Sequence, residues 1–502
     1  MNLIDRFLNN ITMYRLVLYG LSAIIGVGFV MSAVNGLGYP ILALLGSIVV
    51  LLAVGFVCHR ILVRIFASAP STESWIITVL ILFLILKPAE NLGEYGVLTL
   101  GVILAMTSKY IFTFARRHVF NPIAIALVIL GLLGSPQVFW WVGSQSLLPV
   151  VVIVGVLIVR KVRRYDMVVP FLVVATTTYI VRTGISPESL EALKSMVLSG
   201  PLIFFAAIML TEPQTSPHTR KLRIIFAVVV GLLFGLSFAI PPIYSTPELA
   251  LVIGNIFAFA VSSKQRLRLE FQGYSVQGEG IYEFSFRPDR ELKFIPGQYL
   301  EWTLTHKHTD SRGDRRFFTV ASSPTEQDIK LVVRIDPQHS SSFKRALLQM
   351  QPGDEIWASL LSGDFTLPAD GSKRLVFIAG GIGITPIRSM VRQLMDTGQR
   401  RDMILYYTSH SYTGFSYWEM FNQALPNGLS SYFLITGQDM PEGWTGKKGA
   451  LTGDMIKSEV PDYKQAVFFL SGPNAMVVGY KRILLKAGVS RRHIKTDYFP
   501  GF

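Results

Sequence analysis

The feature that most constrains this chain is a change of texture after Val261. Before it lie about ten apolar stretches, centred on residues 14–33, 41–58, 75–86, 95–106, 122–133, 147–159, 168–181, 202–210, 222–239 and 249–261. After the basic knot "SKQRLRLE" no comparable stretch recurs. A hydrocarbon core of roughly 30 Å selects apolar helices of about this length. The pattern predicts a polytopic α-helical membrane domain of about ten helices over residues 1–265, followed by a globular half. The overall 50% hydrophobic and 16% charged composition is an average over these two textures. The amino-terminal apolar stretch is long and runs into further spans, so it reads as a retained first helix and not as a signal peptide.

The net charge of +14 points to membrane orientation and not to nucleic acid, because the excess sits in short loops between apolar stretches. Arg60 and Arg64, then Lys109, Arg116 and Arg117, then Arg160, Lys161, Arg163 and Arg164, then Arg220, Lys221 and Arg223, then Lys264, Arg266 and Arg268 follow the even-numbered segments. The odd loops hold Lys87, Arg182 and Lys194. The positive-inside rule then expects both termini and the globular half in the cytoplasm of a cell bearing this chain in its inner (plasma) membrane.

Two residue types narrow the chemistry. Cys58 is the single cysteine, which excludes intrachain disulfides and cysteine-ligated iron-sulfur clusters. The membrane half holds only His59, His118 and His218, all expected as polar residues at helix ends. No facing histidine pair is expected for haem, and no metal site is expected. Glu94, Glu212 and Glu248 fall near segment ends, which weakens an ion-pump reading. Trp140 and Trp141 have two readings, an interfacial aromatic belt or a stacking wall for a flat ligand; the belt is favoured.

In the globular half, short alternating runs such as "YEFSFRP" and "IKLVVRID" predict a small antiparallel β-barrel over residues 266–371. Strand-turn-helix repeats from "RLVFIAGG" onward predict an α/β nucleotide-binding domain over residues 372–502, with ligands at strand carboxyl ends.

Two resemblances add to this reading. "MLTEPQTSPHTRKLRIIFAVVVGLLFG" (209–235) and "FNPIAIALVIL" (120–130) resemble the related membrane subunits of the sodium-translocating NADH:quinone reductase and of the Rnf complex. That resemblance implies a scaffold holding flavin. The family's Ser-Gly-Ala-Thr attachment segment is absent, and the trio Thr176, Thr177 and Thr178 reads as a back-bonded packing cluster. The membrane-flavin candidates are Asn121, Thr178, Thr211, Glu212, Thr215 and Ser216, for FMN or riboflavin.

The globular half resembles the ferredoxin-NADP reductase superfamily along nearly its whole length, through "RRFFTVASSP" (315–324), "HSSSFKRALL" (339–348) and "AGGIGITPIRS" (379–389). Alternation along a strand turns Arg316 and Phe318 to one face. The resemblance implies FAD on Arg316, Phe317, Phe318, Thr319, Ser322, Ser341 and Ser342, with Arg316 on phosphate, Phe318 on the ring and Thr319 near the reactive nitrogen. It implies NADH or NADPH on Gly380, Gly381, Gly383, Thr385, Pro386, Gly472 and Pro473, and catalytic roles for Thr319 and Ser471. Ser471 stands where many members carry cysteine. Tyr498, Phe499 and Phe502 are candidates to cover the flavin. Ser409 and His410 follow the next strand with no arginine for a 2′-phosphate, which leans to NADH.

The expected function is a membrane-bound NAD(P)H dehydrogenase. It passes electrons through FAD to a membrane flavin and on to a quinone, an extracytoplasmic flavoprotein or another acceptor. The alternatives are a redox-driven Na+ or H+ transporter and a membrane-anchored reductase of a cytoplasmic acceptor.

Overall fold

A computed structural model describes residues 7–8, 11–66, 72–114, 117–236, 239–240, 243–262, 266–307, 309–310, 313–336, 338, 340–438 and 440–499. The chain divides into two compact units, Met1–Ser262 and Ser263–Phe502.

In the first unit the described helices are α1 (Met13–Ala33), α2 (Ile41–Ile65), α3 (Thr72–Ile85), α4 (Leu92–Ile111), α5 (Pro122–Leu132), α6 (Leu148–Val162), α7 (Tyr165–Thr183), α8 (Pro187–Leu198), α9 (Leu202–Phe204, continuing as a π-turn over Phe205–Met209), α10 (Arg220–Gly235) and α11 (Pro247–Val261). Of these, α1, α2 and α7 are long and apolar enough to cross a membrane, and α8 with Leu202–Met209 forms a pair bent by 52° that makes a fourth if it is one span. Helix α8 was not expected from the sequence. Its Ser186 cap and acidic first turn start a helix with too few apolar residues to register as a segment.

Packing explains the faces. Along α2 the buried stripe is Ala43, Ser47, Leu51, Gly55 and His59, at four-residue spacing, while Leu42 on another face is 76% exposed. An exposed face this apolar suits lipid contact, and small buried residues let helices approach. A Cβ at Gly235 of α10 would lie 2.7 Å from the Ala175 carbonyl of α7. Helix α3 is buried on all sides from Val79 to Ile85. The packing order repeats: α2 lies on α4 and α4 on α5, as α7 lies on α10 and α10 on α11, and the sets meet where α1 touches α6 and α5 touches α11.

Two expectations about side chains are corrected here. Trp140 and Trp141 do not form an interfacial belt; they are 7% and 3% exposed. The Trp140 indole donates to Glu248 at 3.3 Å, and the Trp141 indole to the Phe83 carbonyl. Partners for both N–H groups exist inside the unit, so the rings gain apolar burial without leaving a donor unsatisfied. His59 is also buried, stacked on Trp75 at 5.9 Å.

The second unit holds two six-stranded sheets. The antiparallel one comprises β1 (Arg266–Gly278), β2 (Ile281–Pro288), β3 (Tyr299–Thr303), β4 (Arg315–Thr319), β5 (Ile329–Arg334) and β6 (Glu355–Ser362), in the order β4-β3-β6-β1-β2-β5. Leu267, Leu269 and Phe271 of β1 are buried while Arg268 and Glu270 are exposed, the alternation of a strand with one wet face. Just beyond β4, the Ala321 N–H reaches the Lys330 carbonyl of β5 at 3.0 Å. Helix α12 (Ser342–Leu348) lies between β5 and β6 in sequence.

The parallel sheet comprises β7 (Leu375–Gly380), β8 (Met403–Ser409), β9 (Leu429–Ile435), β10 (Lys447–Lys448), β11 (Val467–Pro473) and β12 (Ile494–Phe499), ordered β10-β9-β8-β7-β11-β12. Every residue of β7 is buried, as a central parallel strand covered on both faces requires. Helices α13 (Thr385–Asp396), α14 (Trp418–Gln423), α15 (Gly453–Glu459) and α16 (Asn474–Lys486) complete it.

Candidate functional site

Strand β4 pairs with β3 in register Phe318 to Leu300 and Arg316 to Trp302, so its side chains alternate as expected. Arg316 and Phe318 turn to the side of Phe343, the guanidinium 5.6 Å and the Phe318 ring 5.7 Å from its centroid. Phe317 faces the other way, 53% exposed and edge-on to Tyr299 at 5.7 Å. Thr319 is buried at the strand end.

The Arg316 fork is held by Asp310 at 2.7 Å and donates to the Gly313 carbonyl at 3.0 Å. Ser341 caps α12, accepting the Lys344 N–H at 3.4 Å. Ser342 does not cap; its hydroxyl accepts the Asp310 N–H at 2.9 Å and lies 3.0 Å from His306 Nε2. The arginine and serine motifs therefore meet in one cluster through Asp310 and His306, which sequence reasoning missed. The polar run "HKHTDSRGD" carries no spacing that marks those two residues. Ser322 is buried and engaged internally, accepting the Lys330 N–H at 3.1 Å.

The glycine loop follows β7. Gly381 has φ +50, a left-handed turn that favours glycine, and the chain enters α13 at Thr385 and Pro386. A Cβ at Gly383 would collide with the Ser471 carbonyl and lie 2.6 Å from Gly472 Cα; one at Gly380 would collide with Met476. Gly472 has φ +150 and lies against Gly380. Register pairs Ala379 with Ser471, and Gly472 and Pro473 with Tyr498 and Phe499 of β12. Gly380, Gly381, Gly383, Ser471, Gly472 and Pro473 thus converge at the carboxyl ends of β7 and β11. The Ser471 hydroxyl is fully buried and makes no hydrogen bond among the described residues. The side chains of Tyr498 and Phe499, and all of Phe502, lie outside the described residues.

The two motif groups adjoin. Ile382 of the glycine loop packs with Ile281, Ala321 and Val332, which puts the loop beside the chain just after Thr319. Ser409 ends β8, and His410 abuts the backbone at Gly437.

The membrane-type unit contains a cavity of about 740 Å³, counted with its open mouth, whose lining includes Tyr14, Lys109, His118, Asn121, Thr211, Glu212 and Gln214 against Val17, Ile77, Ile81 and Ile158. Asn121 caps α5 and its amide donates to Glu212 at 2.7 Å; Thr215 donates to the same oxygen at 3.1 Å. Asn255 closes the ring, accepting the Asn121 N–H at 2.8 Å and donating to the Thr215 carbonyl at 3.1 Å. Ser216 is buried next in sequence. Thr178 is not part of this group. It lies against Gly235 of α10, because its position on α7 turns it into that helix contact. His118 stands on the cavity wall, not simply at a water interface, and Lys109 donates to the Ser74 carbonyl at 3.0 Å.

Comparison with known proteins finds a family match within each unit. Residues 132–263 match the NQR2, RnfD, RnfE family, and residues 377–482 match the oxidoreductase NAD-binding domain. The chain is similar to a Na(+)-translocating NADH-quinone reductase subunit of Methylococcus capsulatus, 29% identical over 37% of this chain and 49% of that protein. It is also similar to the glycine betaine monooxygenase reductase subunit of Chromohalobacter salexigens, 25% identical over 44% and 60% of the two chains. The chain thus spans only about half to three-fifths of the length of these relatives. Among solved structures it is similar to the flavohem-like FAD/NAD binding domain of a nitric oxide dioxygenase from Vibrio cholerae, with TM-score 0.41, 16% identity and coverage of 46% and 98%.

Proposed function

We propose that this chain, which joins an NQR2, RnfD, RnfE-type membrane region to an oxidoreductase NAD-binding domain, is a membrane-bound NAD(P)H dehydrogenase using FAD and a second, membrane-held flavin. The onward acceptor in this reading is a quinone or a flavoprotein. The observation that carries it is the meeting of the glycine loop with the end of β4 through Ile382 and Ala321, in a chain that also holds a polar-rimmed membrane-unit cavity.

The residues fit the groups assigned to them. The buried Ser471 hydroxyl, with no hydrogen bond among the described residues, lies beside Gly380 and Gly383, where a Cβ would meet Met476 and Ser471 of the chain itself; such a tight glycine turn at strand ends suits a nicotinamide dinucleotide. FAD, when bound, supplies acceptance of electrons in pairs and their release singly. Arg316 offers a rigid fork for its phosphates, Phe318 and exposed Phe317 offer flat apolar surfaces, and buried Thr319 offers a hydroxyl at the strand end. Residues 266–371 would bind FAD and residues 372–502 the nicotinamide nucleotide.

In the membrane unit, Asn121, Thr211 and Glu212 on the cavity wall would hold FMN or riboflavin through polar contacts, with Ile77, Ile81 and Ile158 as apolar lining, while Thr215, which donates to Glu212, and Ser216 would support them from behind. About ten crossings with both termini in the cytoplasm complete the reading. Joining donor and acceptor in one chain supplies proximity that separate subunits reach only by docking.

The test is anaerobic NADH titration of the purified full-length protein with identification of its flavins. Bleaching of FAD together with a second flavin supports the proposal. A single flavin, with a colourless membrane unit, replaces it with an anchored reductase.

A further inference from the structure

We propose that Arg388 is a positioning residue: with Glu326, Lys330, Glu283 and Tyr417 it forms a clasp that sets the separation of the two nucleotide-bearing sheets, and so the geometry of hydride transfer. This rests on the FAD and nicotinamide reading above.

Arg388 lies one turn into α13, just beyond the glycine loop, with its side chain 6% exposed. One arm of its fork donates to Glu326 Oε1 at 2.9 Å. The other reaches Glu326 Oε2 and the Ala321 carbonyl, the latter at 3.0 Å. Its flat face lies over the Tyr417 ring at 5.4 Å. Tyr417 in turn donates its hydroxyl to Glu283 of β2 at 2.5 Å. The second Glu283 oxygen accepts from Lys330 of β5 at 2.9 Å, and Lys330 stands 3.6 Å from Glu326. Alongside, buried Ser389 donates to the Ser322 carbonyl at 2.6 Å. The clasp thus ties the antiparallel sheet and its 320–326 turn to α13 and Tyr417.

The choice of residues argues for geometry over adhesion. Two cations face two carboxylates, so the cluster is neutral, and apolar residues of similar volume would hold the sheets together as well or better. A guanidinium shared between a carboxylate and a carbonyl fixes direction as well as distance. Tyr417 adopts φ +62, a strained conformation for a bulky residue. Such strain persists where surrounding contacts over-determine it; here both the ring and the hydroxyl are in use. The clasp grips the chain at Ala321, two residues after Thr319, and at Arg388, in the first turn of α13 after the loop. It thereby fixes the spacing between the hydride donor, NADH, oxidised to NAD+, and the flavin that takes up the electron pair.

The experiment uses full-length protein with its bound flavin, comparing wild type with Tyr417→Phe, Arg388→Lys and Glu326→Gln. The readouts are the limiting rate of flavin bleaching at saturating NADH, the NADH Kd, FAD per chain, the long-wavelength charge-transfer absorbance, and hydrogen exchange of residues 320–326 and 381–389. A misplacement of about 1 Å costs up to roughly 100-fold in rate. The expected result is a fall of about tenfold or more in limiting rate and loss of the charge-transfer band. Exchange in the two segments should quicken, while NADH Kd and FAD content hold within about twofold. Unchanged rates, full activity in Arg388→Lys, or loss of FAD in step with rate would each overturn the positioning role. Failure of NADH to bleach wild-type flavin would instead remove the functional reading, and this one with it.

Discussion

Asp310 bridges the two halves of the proposed phosphate site: one carboxylate oxygen lies 2.7 Å from the Arg316 guanidinium and the other accepts the Ser342 N–H at 3.2 Å. The fork is therefore held in one orientation before a ligand arrives, which lowers the ordering cost of binding.

Arg316→Ala should weaken FAD binding by about 1.5–3 kcal/mol, roughly 10- to 150-fold in Kd, the usual worth of a hydrogen bond to a charged group. The purified variant should be paler, and flavin released on denaturation should fall. Full FAD occupancy would remove Arg316 from the site.

Two glycines separate space from flexibility. Gly383→Ala drives a methyl into the Ser471 carbonyl and should cost at least about 1–3 kcal/mol, with loss of NADH binding. Gly479 lies inside α16, where an added Cβ meets no atom of the described residues within 4 Å beyond its own helix backbone, so Gly479→Ala should gain about 0.5–1 kcal/mol. Thermal melts with NADH titrations check both; tolerance of alanine at 383 would refute the close approach.

Acid should loosen the clasp from one carboxyl. Burial pushes the Glu326 carboxyl up, but the Arg388 hydrogen bond and charge, the Ser323 N–H and Lys330 outweigh it and hold it below the ordinary 4.5. With the folded value depressed, its stabilisation is complete above about 4.5 and is lost as pH falls through the folded value. Glu326→Gln should flatten the acid limb of the stability-pH curve and leave its neutral slope alone. An acid limb of wild-type steepness in the variant would show that other groups cause it.

In the membrane unit, Glu212→Ala removes the acceptor shared by Asn121 and Thr215 and should lower the second-flavin content of the full chain. Thr178→Ala, against Gly235, should leave it intact. Equal loss in both variants, or in neither, would move the flavin elsewhere.

Much of this architecture was legible along the chain. Apolar runs, the short alternating runs of β2 and β5, Asn121 before Pro122, and the glycine spacing after β7 each reflect neighbours a few residues apart, where backbone geometry and solvent exposure dictate the residue. The membrane unit's repeated packing order was not legible, since it lives in which helices touch.

What only tertiary structure decided are pairings across long sequence distances. Asn121 finds Glu212 across 91 residues and Arg388 finds Glu326 across 62. Trp140 and Trp141 show why such facts escape a linear reading. Their sequence neighbourhood suits a wet interface, but an indole N–H goes wherever an acceptor waits. Those acceptors, Glu248 and the Phe83 carbonyl, come within reach only when distant helices pack. Sequence thus determined the local elements and the residue types each ligand motif presents. Folding decided which polar groups face one another, because burial makes every unpaired donor costly and only the packed chain supplies its partner.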